Sequence, residues 1–218
     1  MGSKRKPTDI FLFWPNIIGG VRLGLLLATL LCMSDYYVAA VSLHLFDVFL
    51  DFIDGPIARR YNQCTKFGEL FDYLMDKAGN VSFMIKVCQF YPEYTILLQL
   101  WTILLYTSSW SHLQASTVIG QKVKSCNKGT NNPIATVYYS EPLFSIQVLG
   151  TEFFIMLLYL LHFTEGFLVP VFNIGIVRFL LFVNIPAIVI RVVGNIAQVV
   201  GASYRLVNWD AKQRGWIE

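Results

Sequence analysis

Charge is scarce in this chain. Only 14% of its 218 residues are Asp, Glu, Lys or Arg, against about 25% in an ordinary soluble domain. With 55% hydrophobic residues and long apolar runs, that deficit excludes an ordinary soluble protein and points to one embedded in a membrane. The net charge is only +3, and no basic patch interleaves with stacking aromatics, so nucleic acid is excluded as a partner. Cysteine is rare too. Cys32, Cys64, Cys88 and Cys126 show no CxxC spacing, which argues against a thiolate metal site and for reduced structural thiols. The three histidines, His44, His112 and His162, are not paired as ligands; packing or hydrogen bonding is their expected role. No internal repeat or low-complexity tract is visible, so a single domain, 1–218, is expected. Its one long polar loop runs from Gly120 to Glu141.

What is present is greasy and aromatic. The 17 Phe and 11 Tyr residues suit lipid-facing surfaces and interfacial belts. Six helical spans account for the apolar stretches: roughly 12–33, 37–60, 67–90, 94–118, 143–163 and 173–203, each long enough for about 30 Å of hydrocarbon. The expected class is therefore all-α, a polytopic membrane protein with about six transmembrane helices. The basic start, MGSKRKP, precedes an apolar segment too long for a signal peptide, with no small-x-small cleavage site, so a retained first span is expected. Lys6 stands where a myristoylation motif wants Ser or Thr.

Loop charge orients the spans. The links Ser34-Asp35-Tyr36, Tyr91-Pro92-Glu93 and Thr164 to about Phe172 contain no Lys or Arg. The opposite side carries Lys4, Arg5 and Lys6; Arg59, Arg60 and Lys66; Lys122, Lys124 and Lys128; and Arg205, Lys212 and Arg214. The positive-inside rule puts both termini and the Arg59–Lys66 link in the cytoplasm.

Against this background one stretch stands out: FLDFIDGPIARRYNQCTKFGELFDYLMDK, Phe49 to Lys77, with five carboxylates. Ionisable groups inside a membrane are expensive and functional by default. Helix geometry sorts them. Asp51, Asp54, Gly55 and Ala58 share one face of the second span, and Gly68, Asp72 and Asp76 form a stripe along the third. Two helices then present four carboxylates to each other near the membrane surface. Unpaired, they would repel strongly at low dielectric; a hard divalent cation, Mg²⁺ or Mn²⁺, is the natural solution. Gly55, Ala58 and Gly68 leave room for a ligand beside the acids, or let two helices pack closely. Arg59 is placed to hold a phosphate. Elsewhere, Asp47 and Glu152 are expected to pair with Arg178 or Arg191, Lys77 and Lys86 to snorkel or pair with acids, and Asn16 either to cap the first span or to approach a ligand.

The spacing Asp-x2-Asp-Gly-x2-Ala-Arg-x8-Gly-x3-Asp-x3-Asp, from Asp51 to Asp76, specifies eight positions, and a chance match at roughly one in twenty per position is very improbable. It resembles the signature of the CDP-alcohol phosphatidyltransferase family. Asn62-Gln63-x-Thr65-x-Phe67-Gly68, FLFWPNIIGGVR (Phe11–Arg22), NPIATVYYSEP (Asn132–Pro142) and LLYLLHFTEG (Leu157–Gly166) resemble the branch of that family that makes phosphatidylinositol in eukaryotes. The likeness covers most of the chain and departs at Met75 and Lys77, where animal members usually carry Thr and Arg.

The resemblance implies a CDP-alcohol phosphotransferase-type helix bundle and transfer of the phosphatidyl group of CDP-diacylglycerol to myo-inositol, releasing CMP. It implies metal at Asp51, Asp54, Asp72 and Asp76, with Asp76 as the catalytic base. Gly55, Ala58, Arg59, Thr65 and Gly68 would bind CDP-diacylglycerol. It further implies an endoplasmic reticulum membrane and a homodimer. Two alternatives stay open: another acceptor in the same family, such as glycerol 3-phosphate, with Arg178 and Arg191 as an extra phosphate pocket; and a cation transporter, which would instead place its acids near the bilayer midplane in repeated halves.

Overall fold

The computed structural model describes residues 6–120, 143–170 and 172–217. Among these, six long helices dominate. Helix α1 (Trp14–Cys32) follows a 3-10 turn at Pro7–Leu12; α2 is Tyr37–Arg60 and α3 is Lys66–Phe90. A second 3-10 turn, Pro92–Tyr94, leads into α4 (Thr95–Ile119), then come α5 (Leu143–Leu161) and α6 (Ile176–Gln213). Between α5 and α6 two short strands pair antiparallel, β1 (Leu168–Val169) with β2 (Ile174–Gly175).

Local chemistry sets the helix ends. Pro15 sits in the first turn of α1, where its missing N–H costs nothing. Helix α2 stops at Asn62, whose positive φ of 55° is a conformation that asparagine tolerates better than most residues. Three residues on, the Thr65 hydroxyl accepts a bond from the Gly68 amide at 3.0 Å and opens α3 as an N-cap does. Gly120 ends α4 at φ 72°, the left-handed stop that glycine supplies. Helix α6 runs on to Gln213 instead of ending at 203; its break comes at Gly215, φ 68°.

The chain forms two compact units, Met1–Lys86 and Val87–Glu218, with the division falling inside α3. In the first, α1 packs along α2. In the second, α6 packs against both α4 and α5, and Leu157, Val177 and Leu181 form a buried cluster ringed by Phe154, Leu158 and Leu180.

By length and composition two helices, α1 and α6, are apolar enough to cross a membrane, not the six expected. The other helices fall on the remaining expected spans, but α2 and α3 carry the charges of the Phe49–Lys77 stretch, and α4 is rich in Ser and Thr. Apolar side chains remain outside all the same: Leu31, Ile96, Leu100, Val183 and Val193 are exposed. Cys32, Cys64 and Cys88 are free thiols, as expected; Cys126, the Gly120–Glu141 loop beyond its first residue and the NPIATVYYSEP segment lie outside the described residues.

Candidate active site

The site grows from α1. Arg22 is the one charged residue of that helix, and its side chain is 2% exposed. A guanidinium buried this deeply must be matched by acids. Its Nε donates to Asp47 Oδ1 at 3.1 Å. Its Nη1 lies 2.7 Å from Asp51 Oδ1, 2.7 Å from Asp72 Oδ1 and 3.4 Å from Asp54 Oδ2. Its Nη2 donates to Asp76 Oδ1 at 2.6 Å. The four aspartates singled out from the sequence thus converge on one point, from α2 and α3.

Convergence needs α1 close to α3, and a glycine permits it. A Cβ at Gly19 would stand 2.6 Å from the Phe71 ring, a distance real Cβ contacts do not show. Phe71 stacks on Phe67 with centroids 5.7 Å apart, and Phe67 meets Phe11 edge-on at 5.0 Å. Gln63 ties the same end together, its Oε1 accepting from the Trp14 amide at 2.9 Å.

Beside the cluster lies a cavity of about 440 Å³, within the range of small-molecule sites. Asp54 and Asp72 line it, and so do all five residues expected to bind the lipid nucleotide: Gly55, Ala58, Arg59, Thr65 and Gly68. Small size is used at Gly68. Arg59 lies over Gly55, its Nη1 3.5 Å from where a Cβ would be, while a Cβ on Gly68 would crowd Asn16 Oδ1 at 3.1 Å and Thr65 Oγ1 at 3.2 Å. Arg59 has no ion-pair partner among the described residues, so its charge is available to an anion.

Asp51, Asp72 and Asp76 can each offer an oxygen within 4.8 Å of the others'. One guanidinium faces five carboxyl groups, more than it can pair, and every donor in the cluster is a hard oxygen. That donor set fits a divalent cation of the Mg²⁺ or Ca²⁺ kind.

Two expectations, for Asp47 and Asn16, are corrected by this geometry. Asp47 pairs with Arg22, not with Arg178, which instead binds Glu165 at 2.5 Å. Asn16 does not cap α1: Phe13 holds that position, and the Asn16 amide donates to the Ile10 carbonyl at 2.6 Å. Lys86 reaches Ser34 Oγ at 2.9 Å, and Lys77 lies over the Tyr73 ring at 5.5 Å. The histidines are packed or hydrogen-bonded: His44 against Phe83, His162 stacked on Phe90, His112 bonded to Arg205. Arg22 and Asp47 were missed as site residues, although both left a signal. A lone Arg in an apolar span needs an acid, and Asp47 precedes Asp51 by one helical turn on the same face.

Fold and site together define a helical membrane protein built around a carboxylate cluster that opens on a cavity edged by Asp54, Asp72 and Arg59. The family model for CDP-alcohol phosphatidyltransferase matches residues 12–207, and the chain belongs to that family. It is similar to proteins named CDP-diacylglycerol–inositol 3-phosphatidyltransferase in three well-separated organisms. The Drosophila melanogaster protein is 32% identical over 94% of this chain and 90% of its own length. The Mus musculus protein is 33% identical over 94% and 96%, and that of Saccharomyces cerevisiae 28% over 96% and 94%. No solved structure matches the chain significantly.

Proposed function

We propose that this protein transfers the phosphatidyl group of CDP-diacylglycerol to myo-inositol, giving phosphatidylinositol and CMP. The observation that carries it is the convergence of Asp51, Asp54, Asp72 and Asp76 beside a cavity lined by Gly55, Ala58, Arg59, Thr65 and Gly68. The acceptor follows from the relatives' name, shared from insect to yeast.

The chain's own groups divide the work. Arg59, without an ion-pair partner among the described residues, offers its guanidinium to the diphosphate, and the missing side chains at Gly55 and Gly68 let the diphosphate approach the backbone. The Thr65 hydroxyl, already accepting from Gly68, keeps its proton to donate. Asp76 takes the proton of the inositol hydroxyl as that oxygen bonds to the phosphatidyl phosphorus and the bond to CMP breaks. Asp51, Asp54, Asp72 and Asp76 would hold Mg²⁺ or Mn²⁺, which supplies charge neutralisation of the diphosphate and stabilises the departing CMP.

The same reading keeps six spans in the endoplasmic reticulum membrane, with the site and both termini facing the cytoplasm, supported by the one-sided Lys and Arg. It also keeps the whole chain, 1–218, as one domain, since the family match runs through both units. The test is incubation of purified protein with CDP-diacylglycerol, Mg²⁺ or Mn²⁺, and a panel of alcohols. Phosphatidylinositol should form from myo-inositol, and no product in excess chelator. A protein that ignores myo-inositol but accepts glycerol 3-phosphate has another acceptor.

A further inference from the structure

We infer that Arg22 is a built-in counter-cation that competes with the divalent cation for the same carboxylates, and that Asp47 is the tether that retains it. The inference rests on reading Asp51, Asp54, Asp72 and Asp76 as metal ligands. Its own ground is the contact pattern of one side chain. Arg22 Nη1 and Nη2 lie within 2.7 Å of Asp51, Asp72 and Asp76. These are the three carboxylates that can bring oxygens within 4.8 Å of one another. A cation among those oxygens and a guanidinium bonded to them claim the same lone pairs, so each gain of metal requires Arg22 to give up contacts.

Asp47 makes that exchange reversible. It lies outside the Asp51–Asp76 motif and accepts only from Nε, at 3.1 Å, whereas the other four acids face the two terminal nitrogens. The guanidinium moves as one rigid plane, but its stem is flexible, so the whole group can pivot about the Nε–Asp47 bond and carry Nη1 and Nη2 away from the other acids. The displaced positive charge then remains paired inside the protein, and is not left buried alone. Arg22 is in this reading a positioning residue: it keeps four acids from repelling one another and sets how tightly metal binds.

Net charge and direct competition make different predictions, and two variants separate them. Arg22→Gln removes both the competitor and a positive charge. Arg22→Gln with Asp47→Asn removes the competitor and its tether at no change in net charge. Mn²⁺ binding to purified full-length protein is read from the loss of the free-ion electron paramagnetic resonance signal, with no substrate present, and thermal melting reports folding. Both variants should bind Mn²⁺ about tenfold more tightly than the wild type or better, and their melting temperature should rise more steeply with Mn²⁺. A gain in the single variant that vanishes in the double one reduces Arg22 to a charge effect and overturns the competition. Unchanged or weaker binding in both overturns it as well. Should the single variant not fold, the charge-neutral double variant decides alone. A wild type that binds no Mn²⁺ removes the metal reading of the site, and the inference with it.

Discussion

The two units hold their interiors by opposite means. In the first, polar groups bond across helices: Arg22 of α1 reaches Asp47 on α2 and Asp76 on α3, partners 25 and 54 residues away. In the second, most buried hydroxyls bond within their own helix. Ser116 donates to the His112 carbonyl, Thr151 to that of Gln147 and Ser108 to that of Leu105. Its packed centre is Leu157, Val177 and Leu181, and a second cavity, of about 660 Å³, is lined by Leu, Ile, Val and aromatic side chains. Helices are also joined there, by His112 bonded to Arg205 at 3.0 Å and by the Asn184 amide donating to the Gly150 carbonyl at 2.8 Å, but no comparable cluster of acids around one cation is seen among the described residues. A cross-helix charge network is costly to assemble and fails when one member is lost. Self-satisfied hydroxyls with apolar packing lose stability in small steps. On the proposed site, function and its fragility therefore fall in the first unit.

The strongest way to break this contrast is to remove charge from the network. Asp72→Asn should abolish most turnover, since it takes an acid from both the Arg22 contact and the cavity lining. Asp76→Asn keeps size and much of the hydrogen bonding but removes basicity, so turnover should fall by roughly 10²-fold or more, while CDP-diacylglycerol binding weakens far less. Initial rates and liponucleotide binding on the same purified variants check both. An Asp76→Asn protein with normal turnover would remove the base assignment.

How much of this was legible in the sequence follows from what spacing can carry. Periodicity placed Asp51 and Asp54 on one face and Asp72 and Asp76 on another, because positions within a helix obey a fixed 100° step. It could not show that a third helix supplies the central cation. Arg22 lies 29 residues before Asp51 in sequence, and only tertiary packing over Gly19 and Phe71 brings it in. The partner of Asp47 escaped for the same reason: the expected Arg178 or Arg191 gives way to Arg22 of α1, which no helical spacing links to it. Helix ends were easier, since Asn62, Thr65 and Gly120 act locally. Membrane crossing was read from apolar length, and α2 and α3, which carry the charged residues of the Phe49–Lys77 stretch, do not meet that measure.

A milder perturbation sharpens the comparison by touching the network's frame and none of its charges. Gly19→Ala puts a methyl into the Phe71 ring, which is hemmed by Phe67 and forms part of the cavity wall. The ring must shift, and the wall with it. The expected result is a several-fold rise in KM for CDP-diacylglycerol, at a stability cost of about 1–3 kcal/mol. Steady-state kinetics across lipid concentration decide it: an unchanged KM in a folded variant would show that Phe71 yields without moving the cavity.

The smallest effect on turnover is expected from the second unit's packed centre. Leu157 is 2% exposed and sits with Val177 and Leu181, and none of these belongs to the acid cluster or its cavity. Truncating a buried Leu in a soluble core costs about 2–5 kcal/mol, of which part is transfer of the lost atoms from water. In a membrane protein that part is small, because lipid tails are as apolar as leucine, and what remains is lost packing. Leu157→Ala should therefore lower stability by only about 1–3 kcal/mol and leave turnover per folded molecule within roughly twofold. Denaturation in mixed micelles, paired with activity normalised to folded protein, measures the two separately. A Leu157→Ala protein that stays folded yet loses most of its turnover would show that catalysis depends on the apolar core of the second unit as much as on the charge network of the first.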